Sequence, residues 1–252
     1  VTTGKNKFVF VAPMYNASQY VGQMLHSICA QSYDNWQIIL IDDCSSQPEQ
    51  IASQIKITAF QELLHKFGDD KEKIKVIWNS EGRGKQWEVS NVLHGISMCQ
   101  DDDIIVRIDA DDWLTEIDAL SILDNVYTRT DVEALWTAHR WGMSDKNISG
   151  PLPVDANVYK HPWVSSHLKT FRKRLINNVK DENFRDETGN YFRRIGDQAI
   201  YLPVLRNTKK RVFLPRCFYH YTINDIPETY QTSDAVFQRD EALFLRHRGY
   251  IE

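Results

Sequence analysis

Asp109, Asp111 and Asp112 fall within the short stretch RIDADDWL, directly behind the apolar run DIIV and ahead of a tryptophan. Three carboxylates this close repel one another, so either water on an exposed turn or a cation must offset the repulsion. A D-x-D pair suits a divalent cation bound to a diphosphate: hard carboxylate oxygens select Mg2+ or Mn2+, and phosphate oxygens fill the remaining positions. In a chain with 34 acidic residues, a solvated turn or a helix cap explains the same letters. Trp113 and Leu114 argue against a freely solvated turn, because they would tie the loop into the core.

A second acidic pair, Asp42 and Asp43, ends the run WQIILI, where a carboxylate can accept hydrogen bonds from a base or ribose. An Asx-type turn through DDCSS is the competing reading. NSEGRGKQWEVSN offers Gly82 and Gly84 for close backbone approach, Arg83 and Lys85 for phosphate charge, and Asn91 on a following helix. Neither G-x-x-x-x-G-K-[ST] nor a G-x-G-x-x-G after the first apolar run is present, so a Walker loop and a dinucleotide site have no support.

These segments need elements to hold them. FVFVA (8–12), WQIILI (36–41), IKVIW (74–78) and DIIVRI (103–108) read as buried strands. Val21, Met24, Leu25 and Ile28 recur at helical spacing, with Asn16 and Ser18 as available caps, and Val89, Leu93 and Ile96 mark a helix over 86–98. Strand and helix in alternation predict a mostly parallel sheet, and ligands of such sheets gather at the carboxyl ends of the strands. Those ends carry PMYN, DDCSS, NSEGRGK and DADD. Further on, EALWTAH, RVFLP and CFYHY read as strands, DQAIYLPVLR as a helix, and HPWVSSHLKTFRKRL as a basic amphipathic stretch. A lobe boundary at 144–153 and one continuous domain are both compatible with this pattern.

The bulk numbers exclude several classes. The chain has 252 residues, 42% hydrophobic and 25% charged, enough to bury a core without disulfides. A net charge of -4 gives no general basic surface for nucleic acid or anionic lipid. Cys29, Cys44, Cys99 and Cys217 show no metal or disulfide spacing, and buried free thiols in a reducing, cytoplasmic setting are expected. No run approaches the length of a membrane helix.

Taken together, VAPMYNASQYVGQMLHSICAQSYDNWQIILIDDCSS, then NSEG with Asn91, then RIDADDWL resemble the inverting GT-A glycosyltransferases of family 2, in order and spacing. The resemblance covers about the first 125 residues most closely. It implies one GT-A domain over 1–252, a Rossmann-like, mainly parallel sheet flanked by helices with a small second mixed sheet. Residues 1–114 would form the donor half and 115–252 the acceptor half. It also implies a nucleotide-sugar donor, UDP-sugar before GDP-sugar, a glycan or other hydroxyl acceptor, and Mn2+ or Mg2+. On the donor side it points to Pro13, Tyr15, Asn16, Asp42, Asp43, Asn79, Gly82, Lys85 and Asp109. Asp111 matches the metal ligand, and His220 a late histidine that reaches metal or diphosphate in some relatives.

The family's general base matches Asp197 in RRIGDQAIYL, with Gly196 where a glutamate often sits; partial burial is expected to raise the carboxyl's pKa. The competing reading of Asp197 is a helix N-cap. Asp112, Trp113, Trp163, His167 and Arg172 are the acceptor-side candidates, Lys169 a further polar contact there. Rival readings are a nucleotidyltransferase of similar fold, a receiver-type domain, and a GT-A module that binds without catalysis. The first needs a Gly-rich loop after the first strand and the second an acidic pair there, and PMYNAS is neither.

Overall fold

The structure, a computed structural model, describes residues 5–69, 71–80, 87–144, 146–223 and 232–252. β1 (Phe8–Met14), β2 (Trp36–Asp42), β3 (Ile74–Trp78) and β4 (Ile104–Arg107) lie parallel, joined through α1 (Ser18–Cys29), α2 (Gln47–Lys66) and α3 (Trp87–Ser97). Their apolar runs serve two cores at once, as a sheet covered on both faces requires. Phe8, Phe10 and Ala12 pack with Val21, Met24, Leu25 and Ile28 of α1, whereas Val9 and Val11 pack with Val89, Val92 and Ile96 of α3. Gly95 permits that approach: a Cβ there would lie 2.6 Å from Val11 Cγ1.

Beyond β4 the sheet reverses. A short β5 (Trp113–Leu114), α4 (Ala119–Arg129), β6 (Ala134–Trp141), β7 (Lys169–Arg172), α5 (Gly196–Arg206), β8 (Arg211–Tyr221) and α6 (Thr232–Arg248) follow in the chain. All strands form one sheet in the order β3-β2-β1-β4-β7-β6-β8-β5. The mixed strands thus continue the parallel ones, and β5 of the first half pairs with β8 of the second. The connection after β6 is packed onto the sheet, with Trp136 Nε1 donating to the Gly150 carbonyl at 2.9 Å.

Three expectations change. RVFLP and CFYHY belong to the single strand β8, whose register shifts opposite Thr137–His139. The basic stretch contains no amphipathic helix; Lys169–Arg172 is strand β7 and Lys173–Ile176 a 3-10 turn. Because β7 runs antiparallel to β4, Lys169 sits opposite Arg107 and Arg172 opposite Ile104. Its leading end therefore reaches the edge where β1, β2 and β4 finish, and its trailing end points away. The four cysteines are unpaired, with Cys217 exposed, contrary to the expectation of buried thiols. Among the described residues, no helix is long and apolar enough to cross a membrane.

Candidate active site

The carboxyl ends of β1, β2 and β4 open into a pocket of about 210 Å3, whose walls include Pro13, Tyr15, Asn16, Asp43, Asn91, Asp109 and Asp111. Asp42 is turned to another task. The Ser45 N–H (2.9 Å) and Gln50 Nε2 (3.0 Å) donate to its Oδ2, and the Ser45 hydroxyl (2.5 Å) to its Oδ1. That is the Asx-type turn leading into α2, so of the pair only Asp43 faces the pocket. Asn16, at φ +46°, accepts from the Ser46 N–H (3.0 Å) while its own N–H donates to Ser45 Oγ (2.8 Å), clamping the two loops together. It does not cap α1, whose Ser18 N–H is taken by Glu49 at 3.0 Å. Asn79 Nδ2 donates to Asn91 Oδ1 (2.9 Å), and the buried Asn91 Nδ2 has no partner among the described residues. Asn79 thus acts through Asn91, whose amide is left to donate. Gly82 and Lys85 lie outside the described residues.

The DADD segment folds into a turn in which the Asp112 N–H donates to the Asp109 carbonyl (3.1 Å). Asp112, an acceptor-side candidate, is 1% exposed and lines neither this pocket nor the larger cavity beside it. Its Oδ2 accepts from the Tyr219 hydroxyl (2.5 Å) and its Oδ1 from the Thr222 N–H (2.7 Å), which fastens the turn to the end of β8. Burial, then the charges of Asp111 and Asp109, push its carboxyl well above the usual carboxylate range. Beside it, the buried Arg107 guanidinium pairs with Asp109 Oδ1 (2.7 Å) and with Glu88 of α3.

Asp109, Asp112 and His167 offer ligand atoms that all lie within 4.8 Å of one another. Burial, then the Lys169 charge, hold the His167 imidazole well below its ordinary pKa, so it is neutral, the form that binds metals. Carboxylate oxygens and a neutral imidazole fit a divalent cation. Asp111, the expected ligand, lies outside this group and lines the pocket beside Asp109. The other expected ligand, His220, stacks on Trp113 (ring centroids 3.7 Å apart), with Arg140 Nε donating to its Nδ1 at 3.4 Å. His220 is outside the group too, and Trp113 spends a ring face on it.

A second cavity, of about 460 Å3, adjoins the first at Glu88 and Asp109. Trp163 and His167, two of the acceptor-side candidates, and Asp197 help to line it. Asp197 is the second residue of α5 and makes no capping bond. Its Oδ1 lies 2.7 Å from Lys169 Nζ and its Oδ2 3.4 Å from His167 Nε2. Burial alone would raise its pKa, but Lys169, then His167 and Arg107, outweigh it and hold the carboxyl well below the usual range. The expected upward shift is therefore reversed. The cause is Lys169, 1% exposed, which the reversal of β7 carries to this edge.

Arg172 leaves the site for the same topological reason. At the opposite edge it donates to the Asp102 carbonyl (2.8 Å) and Asn6 Oδ1 (2.7 Å) and lies over the Tyr127 ring. Glu88 is the residue that sequence reading missed, since one acid inside a helical pattern carries no signal. A Cβ on Gly196 would lie 2.5 Å from Glu88 Oε1 and 2.8 Å from Oε2. The space a side chain at 196 would take is filled by this carboxylate.

The sequence pattern of Glycosyl transferase family 2 matches residues 9–194, well over half of the chain. The chain belongs to this family. GlyA, a glycosyltransferase of Streptococcus pneumoniae, is 21% identical over 86% of the chain and 31% of its own length. A teichuronic acid biosynthesis glycosyltransferase of Bacillus subtilis, TuaG, is 27% identical over 33% of the chain and 29% of its own length. The chain spans less than a third of the length of these curated relatives. Among solved structures, S. aureus TarS 1-349 in complex with UDP-GlcNAc superposes with a TM-score of 0.65 at 14% identity, covering 98% of this chain and 68% of that one. The mannosyltransferase PcManGT of Pyrobaculum calidifontis, in complex with GDP-Man and Mn2+, gives 0.66 at 14% identity, covering 98% and 66%. Both likenesses are of fold, and the family 2 fold here is GT-A.

Proposed function

We propose that this family 2 domain transfers a sugar from a UDP- or GDP-sugar to a hydroxyl of a glycan or other acceptor, with inversion by single displacement. One observation carries the reading: the 210 Å3 and 460 Å3 cavities share Glu88 and Asp109 as a common wall, and Asp197 lines the larger one. A nucleotide held between Asn16, Asp43 and Asn91 would turn its sugar toward Asp197, and an acceptor beside Trp163 would approach from the opposite direction. A nucleotidyltransferase would need no carboxylate in that second cavity.

Mn2+ or Mg2+ would be held by Asp109 and Asp111, which both line the donor pocket, with His167 near Asp109. Asp112, whose two oxygens already accept hydrogen bonds, would orient the turn instead. The cation, when bound, supplies positive charge for the departing diphosphate. Asp197 receives the acceptor's proton. Its low pKa keeps it ionised throughout the neutral range but makes it a weak base. Proton transfer to it therefore follows bond formation at the anomeric carbon, when the acceptor oxygen has become strongly acidic. Lys169 holds the carboxylate in place while it waits.

The test is a thermal-shift and calorimetric screen of UDP- and GDP-sugars with and without Mn2+, followed by determination of the product's anomeric configuration. Specific donors should raise the melting temperature only with metal. Asp111→Asn should abolish Mn2+-dependent donor binding while Asp112→Asn only weakens it. The reverse order would move the cation to the Asp109, Asp112 and His167 group, and retention of configuration would exclude single displacement.

A further inference from the structure

A third cavity, of about 600 Å3, opens at the other end of α5 and α6, away from the transfer site. Lys160, Arg206, Lys209, Arg211, His247 and Arg248 line it together with the carboxylate of Asp155, and Arg206 is already paired with Glu252. In a chain of net charge -4 this concentration of cations is local. Two of the arginines are held by carbonyl oxygens: Arg211 by Leu205, Pro153, Val154 and Ala156, and Arg248 by Arg185 and Asn183. Carbonyls fix the guanidinium planes without cancelling their charge. Burial pushes both guanidiniums below their ordinary pKa, the direction expected of cations with no carboxylate beside them.

Three polar atoms of this wall are also buried without a hydrogen-bond partner among the described residues: the Tyr159 hydroxyl, Arg211 Nε and Arg248 Nε. Tyr159 is 4% exposed and Arg211 8%. Unpaired buried donors are costly unless a ligand supplies the acceptor. All three donate, so the missing group is an acceptor, and the charge around it requires an anion.

We propose that this cavity binds a phosphate group carried on the acceptor. A tetrahedral oxyanion offers several acceptors to donors converging from different elements, and arginine is suited to it. Its placement favours the acceptor as the source. Arg246 of α6 joins the two cavities, with Nε donating to Gln198 of the transfer site (3.0 Å) and Nη1 to the carbonyl of Tyr159 (3.3 Å). Asp197 and Arg206 stand at opposite ends of α5, about 14 Å apart by helical rise. A short oligosaccharide reaches from one to the other. The identity of the carrier rests on the transferase reading; the anion site itself does not.

Calorimetry with inorganic phosphate and with glucose 6-phosphate, in EDTA at constant ionic strength, tests this on the native chain, Lys160→Gln/Lys209→Gln and Tyr159→Phe. Both charge substitutions are at exposed positions and should leave the fold intact. Native protein should bind glucose 6-phosphate saturably and more tightly than inorganic phosphate. The double variant should lose about tenfold or more in affinity and Tyr159→Phe about threefold or more, as loss of charge-assisted and neutral hydrogen bonds implies. UDP and GDP affinity with Mn2+, measured in parallel, should be equal in all three. Absence of saturable binding, or equal binding by all three proteins, overturns the site. Loss in the charge variant with none in Tyr159→Phe shows diffuse attraction and also overturns it. Inorganic phosphate binding as tightly as the sugar phosphate overturns the acceptor as carrier. If nucleotide affinity is missing everywhere while glucose 6-phosphate binds as expected, the transferase reading fails and the anion site stands.

Discussion

Asp197 sits in a contact that a helix cap would not make. Its carboxylate is paired with Lys169 at 2.7 Å and is not spent on the α5 backbone. Asp197→Asn should keep nucleotide and metal affinity while transfer falls at least about 10²-fold, the lower end of a general base's contribution. Steady-state transfer with saturating donor reads this directly, and near-native turnover would remove Asp197 from the reaction. The two aspartates ending β2 separate just as cleanly. Asp42 accepts three hydrogen bonds from Ser45 and Gln50, so Asp42→Ala should cost about 2 to 4 kcal/mol of stability, since such bonds to a charged group are worth roughly 1.5 to 3 each and add incompletely. Asp43→Ala should instead spare the melting temperature and weaken free UDP or GDP binding by about 1.5 to 3 kcal/mol. Chemical denaturation and nucleotide titration of the two variants would show a crossed pattern. Parallel losses in both assays would mean that both residues serve one purpose.

At the level of elements, α3 and α5 meet where Glu88 takes the room beside Gly196. Gly196→Ala should push that carboxylate off Arg107, costing about 1 to 3 kcal/mol as overpacking does. Glu88→Ala alone leaves Arg107 with one carboxylate fewer. In the double variant the clash is gone, so its destabilisation should be less than the sum of the two single ones, the mark of directly coupled positions. Strict additivity in urea denaturation would show that Glu88 and residue 196 do not share this space. The same packing explains the family departure at 196. A glutamate there would collide with the one already supplied by α3.

Across the whole molecule, acid should destabilise the fold in a defined order. Burial, then Lys169, lower the pKa of His139 to about 4, and His167 is held well below its ordinary value. Between about pH 6.5 and 4 the unfolded chain binds protons that these folded histidines refuse, so stability is full above pH 6.5 and falls as pH falls. Asp197, also depressed, adds its loss only below about pH 3.9. For His139 the linkage amounts to about 1 to 1.5 kcal/mol at pH 5.5. His139→Gln should flatten the decline of melting temperature between pH 7 and 5, and an unchanged slope would mean that His139 titrates alike in both states.

Much of this protein was legible in its letters because the signals were local. Runs such as FVFVA and DIIV must be buried strands, turn chemistry follows at their ends, and DADD crowds its charges within one turn. Order and spacing then carried the family, and several residues they pointed to, among them Asn16, Asp43 and Asp109, line one pocket. What the letters left open depended on which strand lies beside which. The basic letters of HLKTFRKR are alike in sequence, yet β7 runs antiparallel to β4, which sends Lys169 to Asp197 and Arg172 to Asn6 at the opposite edge. Asp42 and Asp43 are neighbours in the chain, but successive residues at a strand end point opposite ways, so one builds the loop and the other faces the pocket. The pKa of Asp197 and the place of Glu88 follow from contacts between residues 28 and 108 positions apart, 169 to 197 and 88 to 196. A linear pattern records neither, because charge and excluded volume act through space.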